Sequence, residues 1–266
     1  MFHDTVLRLG IFVLVFALLA FAETVRPQKA RLFSRKQRWL AHFGMFGLAT
    51  LLVRMAAMLF PLIGATAAAV FAAQSGWGLL QWMTLLLWLE IIMAVVLLDL
   101  AIWVQHIATH RVPILWRIHR VHHADRDLDA SSALRFHPLE ILLSAAYKFS
   151  LILLLGPAVM AVIIFEVLLN ASALFNHANW AIPPQVDRWL RSIVVTPDMH
   201  RIHHSTIISE QCRNFGFCLS VWDRIFRTYS ADPEHGQSGM TIGLSEWQKD
   251  DRSARLGWML GFPFQR

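Results

Sequence analysis

Two nearly identical stretches of the sequence carry histidines at the same spacing. HRVHHA occupies residues 119–124, and HRIHHS occupies residues 200–205. With 13 His in 266 residues, random placement predicts on the order of 0.03 copies of H-x-x-H-H in the whole chain. The two copies therefore need a common cause. Positions i, i+3 and i+4 share one face of a helix, so each stretch predicts three imidazoles on one helical face. These histidines are His119, His122, His123, His200, His203 and His204.

Four further histidines belong to the same prediction. His106 and His110 are four residues apart and share a helix face, while His137 and His177 flank the two ends of an apolar region. A single histidine is usually an ordinary structural residue, and we interpret His3, His42 and His235 in that way.

Ten converging imidazoles have no such simple explanation, because unpaired buried nitrogens would cost roughly 1–3 kcal/mol each. Neutral imidazole is a common metal ligand. Since one ion takes about four to six ligands, this number of histidines predicts two metal ions. Zinc, copper, iron and nickel all accept imidazole, so the ligand type alone does not choose among them.

The elements that would position these histidines are membrane helices. The chain is 56% hydrophobic and only 16% charged, whereas soluble domains carry about 25% charged residues. Nearly charge-free blocks predict helices over 5–22, 39–60 and 79–104, and a helical hairpin over 139–175 that turns at residues 156–157. An apolar connector, 61–78, joins the second and third spans. The sequence thus predicts an all-α, polytopic membrane bundle of about five spans with a histidine-rich helical cap.

The positive charges predict the orientation of these spans. Basic residues concentrate after the first span and are missing from the stretch 61–78 and from the turn at 156–157. By the positive-inside rule, the first span is an uncleaved anchor with its N-terminus outside, and all ten histidines lie at the cytoplasmic edge of an inner or plasma membrane. The net charge of +6 then reflects topology, and we expect no nucleic-acid partner. The basic residues of this loop are Arg26, Lys29, Arg31, Arg35, Lys36 and Arg38.

Charged residues inside the spans should be paired, because isolated ions in a bilayer are costly. Arg54 and Glu90 lie at similar predicted depths, as do Lys148 and Glu166 on opposite arms of the hairpin. We predict two structural ion pairs, with a proton path as the less favoured alternative.

The motifs together resemble the fatty acid hydroxylase/sterol desaturase superfamily over about residues 99–229. The resemblance implies a non-haem dimetal centre, normally two iron ions, that uses O2 to oxidise a C–H bond of a lipid such as an acyl chain or sterol. Ile107, Phe215 and Arg227 stand where the family usually has Arg, Tyr and Gly, which bears on substrate and partner rather than on the metal. The matching segments are HIATHRVPILWRIHRVHH, DASSALRFHPLE, NHANW, TPDMHRIHHS and NFGFCLSVWDRIFRTY.

The expected organisation follows from this resemblance. Residues 1–98 would form N-terminal spans with the basic loop, residues 99–230 the catalytic domain, and residues 231–266 a cytoplasmic tail. We expect no catalytic side chain beyond the metal centre. Asp99, seven residues before His106, either accepts a hydrogen bond from a ligating histidine or only joins helices; Asp198 and Asp223 are further candidates for supporting the ligands.

Two other functions remain open at this point. Acyl-chain desaturases and alkane hydroxylases also use three histidine boxes, but their first two boxes lie farther apart than the eight residues between His110 and His119. The other is a non-catalytic zinc- or copper-binding membrane protein, such as a transporter or sensor; a transporter would be expected to place its ligands at the bilayer midplane rather than at its edge. For the enzyme, the lack of haem, flavin or iron–sulfur motifs predicts a separate electron donor of reductase, ferredoxin or cytochrome type. Zinc could occupy the site as purified, and hydroxylation is not separated from desaturation.

Overall fold

The fold is that of a computed structural model, which describes residues 2–60 and 64–265. Within these residues there are helices and isolated backbone bridges but no strands. Five of the described helices are long and apolar enough to cross a bilayer: Phe2–Val25, Arg35–Leu59, Leu87–Arg111, Pro138–Leu155 and Val159–His177. The predicted all-α membrane bundle with five spans is confirmed. The helices are α1 Phe2–Val25, α2 Arg35–Leu59, α3 Ala65–Ser75, α4 Leu87–Arg111, α5 Pro113–His123, α6 Pro138–Leu155, α7 Val159–His177, α8 Pro184–Leu190, α9 Pro197–His203, α10 Ile208–Gln211, α11 Val221–Ile225, α12 Gly236–Gly239 and α13 Leu256–Gly261.

The helical hairpin turns where the sequence predicts it. Helix α6 ends at Gly156, which has φ +60°, a backbone conformation that glycine adopts without steric cost. Gly78 packs directly against Gly156, because a Cβ on Gly78 would lie 2.4 Å from the Gly156 Cα. The Gln81 side-chain amide donates to the Gly156 carbonyl at 2.8 Å. These contacts attach the segment before α4 to the turn of the hairpin.

One detail of the predicted spans is wrong, and one predicted connector has a structure of its own. The third span begins at Leu87 rather than at residue 79, because Leu79–Trp82 form a separate 3₁₀ turn in which Leu80 is buried. The connector 61–78 contains a helix, Ala65–Ser75, that packs on both arms of the hairpin; its first three residues, 61–63, lie outside the described residues. Hydropathy alone cannot separate a span from an apolar segment that packs beside it.

The later start of α4 also changes one of the predicted ion pairs. Glu90 lies in the first turn of α4, and its carboxylate accepts from the Ala158 backbone N–H at 2.8 Å. The predicted pairing of Glu90 with Arg54 is therefore wrong. The second pair is confirmed: Lys148 Nζ lies 3.6 Å from Glu166 Oε1. Glu166 also pairs with Arg8 of α1.

The C-terminal segment, which we expected to be a polar tail, packs against the helical core. Trp258, Met259 and Phe262 are buried in one cluster with Met45 of α2 and Val121 of α5. The segment is also held by backbone bonds, since Gly243 N–H donates to the His204 carbonyl at 3.0 Å. Its apolar residues lie in short helices and turns, which produce no long sequence periodicity. The domain boundaries at 98/99 and 230/231 stay predictions.

Candidate metal centre

Nine of the ten predicted histidines lie in two compact groups. In each group one ring nitrogen of every member is within 4.8 Å of those of all the others. All nine are buried except His110, which is half-buried. The five-histidine group consists of His106, His110, His119, His123 and His203, and the four-histidine group consists of His122, His177, His200 and His204.

Each repeated stretch contributes to both groups. The sequence places the three histidines of a stretch on one face of a helix, and α5 and α9 are helices as predicted; α9 begins with Thr196 as N-cap and Pro197 in its first turn. Consecutive residues on a helix point about 100° apart. The neighbours His122 and His123 therefore enter different groups, as do His203 and His204. The groups adjoin, because the rings of His123 and His204 stack with their centroids 4.5 Å apart.

In the five-histidine group the Nε2 atoms point at a common centre. The Nε2 atom of each member is buried without a hydrogen-bond partner among the described residues. Their Nδ1 atoms explain the orientation: His106 Nδ1 donates to the Phe215 carbonyl at 2.7 Å, and His203 Nδ1 donates to the Arg213 carbonyl at 2.8 Å. A carbonyl can only accept, so these Nδ1 atoms carry the hydrogen and the Nε2 atoms carry lone pairs.

The four-histidine group is tighter. His177 Nε2 lies 3.0 Å from His122 Nε2 and 3.1 Å from His200 Nε2, and His204 Nε2 lies 3.2 Å from His200 Nε2. His177 Nδ1 donates to the Ala173 carbonyl at 2.6 Å, which leaves its Nε2 with a lone pair. Two nitrogens that ligate one ion at about 2.1 Å and at right angles lie about 3 Å apart. The donor set and its spacing fit a metal ion.

The electrostatics of the site favour the uncharged imidazole. Burial lowers the pKa of His203 to about 3. Burial and then the neighbouring histidines lower the pKa of His122, His200 and His204 well below the ordinary value. The rings are neutral near pH 7, and neutral imidazole is the form that binds metal ions.

His137 is not brought into either group. It is the N-cap of α6, where its Nδ1 accepts from the Leu139 backbone N–H at 3.2 Å. Its Nε2 lies 3.3 Å from the Leu260 carbonyl in the C-terminal segment. The following Pro138 begins the helix, so the imidazole turns back to the helix end instead of reaching the centre.

The predicted carboxylates have three different surroundings. Within the described residues Asp99 has no hydrogen bond to a histidine; it accepts from the backbone N–H of Cys218 and Leu219 and from the Trp222 indole, at 2.9–3.2 Å. The surroundings of Asp99 thus match the second alternative, a carboxylate that only joins parts of the chain. Asp198 pairs with Arg201, three residues later on α9.

Asp223 acts on the centre through a loop. Its carboxylate accepts from the backbone N–H groups of Phe215 and Gly216 at 2.9 and 2.8 Å. The carbonyl of Phe215 is the acceptor for His106 Nδ1. Asp223 therefore positions the loop that orients a histidine of the five-histidine group.

Sequence reasoning missed the residue that orients His119. Glu140 Oε1 accepts from His119 Nδ1 at 2.6 Å. Its position three residues after His137 in RFHPLE was the available signal. The main-chain carbonyls that orient His106, His177 and His203 carry no sequence signal, since every residue has one.

The site and fold define a helical membrane protein with two adjoining groups of buried histidines. A family model described as fatty acid hydroxylase matches residues 91–228, just over half of the chain. The chain belongs to the fatty acid hydroxylase family.

Curated relatives include proteins from animals and bacteria. An alkylglycerol monooxygenase from Homo sapiens is 31% identical over 145 residues, covering 54% of this chain and 31% of that protein. Ornithine lipid hydroxylase OlsE from Rhizobium tropici is 27% identical over 159 residues, covering 59% of this chain and 46% of that protein. The chain thus spans about a third to a half of the length of these relatives. No solved structure matches the chain.

Proposed function

We propose that this protein is a membrane-bound non-haem di-iron oxygenase that hydroxylates a C–H bond of a lipid. The observation that carries the proposal is the pair of adjoining histidine groups, in which buried nitrogen lone pairs converge on two centres. All nine grouped histidines are the proposed ligands. His137 is no longer proposed, because its ring is engaged at the end of α6.

Iron is favoured over zinc by the chemistry of the substrate. An unactivated C–H bond offers no acid, base or leaving group, so the oxidising equivalents must come from O2 and a metal that changes oxidation state, which zinc cannot do. The protein supplies the orientation of each imidazole, the neutral form of the ring and a buried environment that excludes water. The electrons would come from a separate reductase, ferredoxin or cytochrome.

The names of the relatives favour hydroxylation over desaturation, since one is a monooxygenase and the other a hydroxylase. The decisive experiment is metal analysis of aerobically purified protein, combined with O2 consumption and mass spectrometry of added lipid. About two iron ions per chain and a lipid product heavier by one oxygen atom are expected. Zinc or copper alone, without O2 consumption in the presence of a reductant, would favour the transporter or sensor.

Asp223→Asn should weaken metal retention while the helices stay folded. The asparagine keeps one acceptor oxygen, and its NH2 group would face the backbone N–H of either Phe215 or Gly216, so one of these hydrogen bonds would be lost and the loop would no longer orient His106 firmly. Loss of such an outer partner typically lowers metal affinity about 10–100-fold. The measurement is metal per chain after titration with a chelator of known affinity.

Asp99→Asn is the matched control for this prediction. Asp99 is also a buried carboxylate that accepts backbone N–H bonds from the same loop region, but its partners Cys218 and Leu219 bond no histidine. Its variant should resemble the parent in metal affinity. Equal metal loss in both variants would mean that Asp223 only supports the fold.

The proposed orientation places the histidine groups at the cytoplasmic face of an inner or plasma membrane. Gln37 lies in the first turn of α2, among the basic residues, and Gln74 lies near the end of α3; both are exposed. A membrane-impermeant maleimide added to intact cells should label Gln74→Cys and spare Gln37→Cys. After permeabilisation both should react. Labelling of Gln37→Cys in intact cells would reverse the orientation.

A further inference from the structure

A cavity lies beside the five-histidine group. Its volume is about 230 Å³, and both His106 and His119 line it. Glu140, Ser144 and Lys148 of α6 line the same cavity at intervals of four residues, so they lie on one helix face and span about 12 Å. The cavity therefore runs from the histidines along the hairpin, towards the level of the Lys148–Glu166 pair.

Most of the cavity wall is apolar, and helices on opposite sides contribute to it. Phe12 of α1, Phe46 of α2, Ile102 of α4 and Leu169 of α7 all face it. An apolar space of this kind within the spans suits an alkyl chain. Apolar walls alone would accept any hydrocarbon of suitable shape, so selectivity must come from the few polar groups.

Glu140 is a polar group of the cavity wall whose side chain bonds directly to a histidine ring. One carboxylate oxygen, Oε1, accepts from His119 Nδ1 at 2.6 Å. The other oxygen, Oε2, is buried and has no hydrogen-bond partner among the described residues. Glu140 lies in the first turn of α6, where the helix dipole favours a negative charge. A buried carboxylate oxygen without a donor is costly, so a donor from the cavity would bind it well.

We propose that Glu140 Oε2 accepts a hydrogen bond from a hydroxyl or N–H group of the lipid. The cavity then takes a lipid that carries a donor close to the carbon that reacts, rather than a plain hydrocarbon chain. A site built around a hydrogen bond rejects the analogue that lacks the donor, because the site's own polar group is left unpaired. That this carbon reacts rests on the proposed function; the binding preference rests on the cavity and on Glu140 alone.

The test compares a matched pair of probes, dodecanol and its methyl ether, with protein as purified in detergent micelles. Calorimetry gives the dissociation constant of each probe for the parent and for Glu140→Gln. The preference for the alcohol is the ratio of the dissociation constants of the two probes. When the preference of the variant is divided by that of the parent, the difference in how the two probes partition into the micelles cancels. A hydrogen bond to a charged group corresponds to a preference of about tenfold for the alcohol.

Glu140→Gln should lose that preference. The Gln oxygen can still accept from His119, and its NH2 group then takes the place of Oε2, where it cannot accept from a hydroxyl. Ser144→Ala, one turn deeper on the same face, is the control and should keep the preference. Metal content is measured on every sample, and Glu140→Gln should retain most of it.

Three outcomes would overturn the inference. An unchanged preference in Glu140→Gln would mean that the hydroxyl of the probe binds elsewhere or that Oε2 bonds to water instead. Equal weakening of both probes would mean that Glu140 only positions His119. Metal loss as large as that of His119→Ala would make Glu140 a ligand. Failure of the proposed function would appear differently, as a parent protein that lacks iron or consumes no O2 while the probe preference remains.

Discussion

His203→Ala should abolish lipid oxidation and lower the metal content while the protein still inserts in the membrane. His203 contributes to the five-histidine group, and its Nδ1 is fixed by the Arg213 carbonyl at 2.8 Å. Its removal leaves one centre short of a nitrogen ligand. The measurements are product formation and metal per chain, which should fall from about two towards one.

The spans should not be affected by this substitution, since His203 lies in α9 and outside all five spanning helices. His235→Ala is the control, because His235 is exposed and belongs to neither group. It should retain activity and metal. Full activity in His203→Ala would refute the dimetal proposal.

The double variant His122→Ala, His203→Ala should have scarcely less oxidation activity than either single variant. The structure makes this pair informative, because His122 belongs to the four-histidine group and His203 to the five-histidine group. If two metal ions act together on O2, the loss of either centre already removes the activity. A second loss then costs little more, as expected for residues that act as a unit.

Independent sites would behave differently. The metal loss of each single variant would be the same, but each would keep part of the activity, and the two activity deficits would add as free energies in the double variant. Metal per chain and activity in the two single variants and the double variant distinguish these cases. If the parent holds about two ions and the activity losses of the two single variants multiply in the double variant, the two metal sites exist but do not cooperate.

Much of this organisation was predictable because it depends on local patterns. Long apolar blocks predict spans, since a bilayer requires about 20 apolar residues in a helix. Gly156 and the following proline mark a turn for steric reasons. The order of the histidine motifs was sufficient to indicate the family to which the chain belongs.

Errors arose where packing decides between similar local patterns. Residues 79–86 are as apolar as a span, but Leu80 packs as part of a separate turn and α4 begins only at Leu87. Phe262 and its neighbours are scattered along a polar segment and still form a buried cluster with α2 and α5. Composition does not reveal such contacts, because they join residues far apart in the chain.

The sequence by itself determined which residue type forms the candidate centre, that it repeats on two helices and that a membrane bundle carries it. Helical spacing relates residues within one helix, but it does not define how that helix is rotated against its neighbours. Only the tertiary structure decided that His122 and His123 enter different groups, that His137 stays at the end of α6 and that Asp223 acts through the Phe215 loop. Those assignments depend on contacts between α5, α7, α9 and distant main-chain carbonyls, which local sequence does not encode.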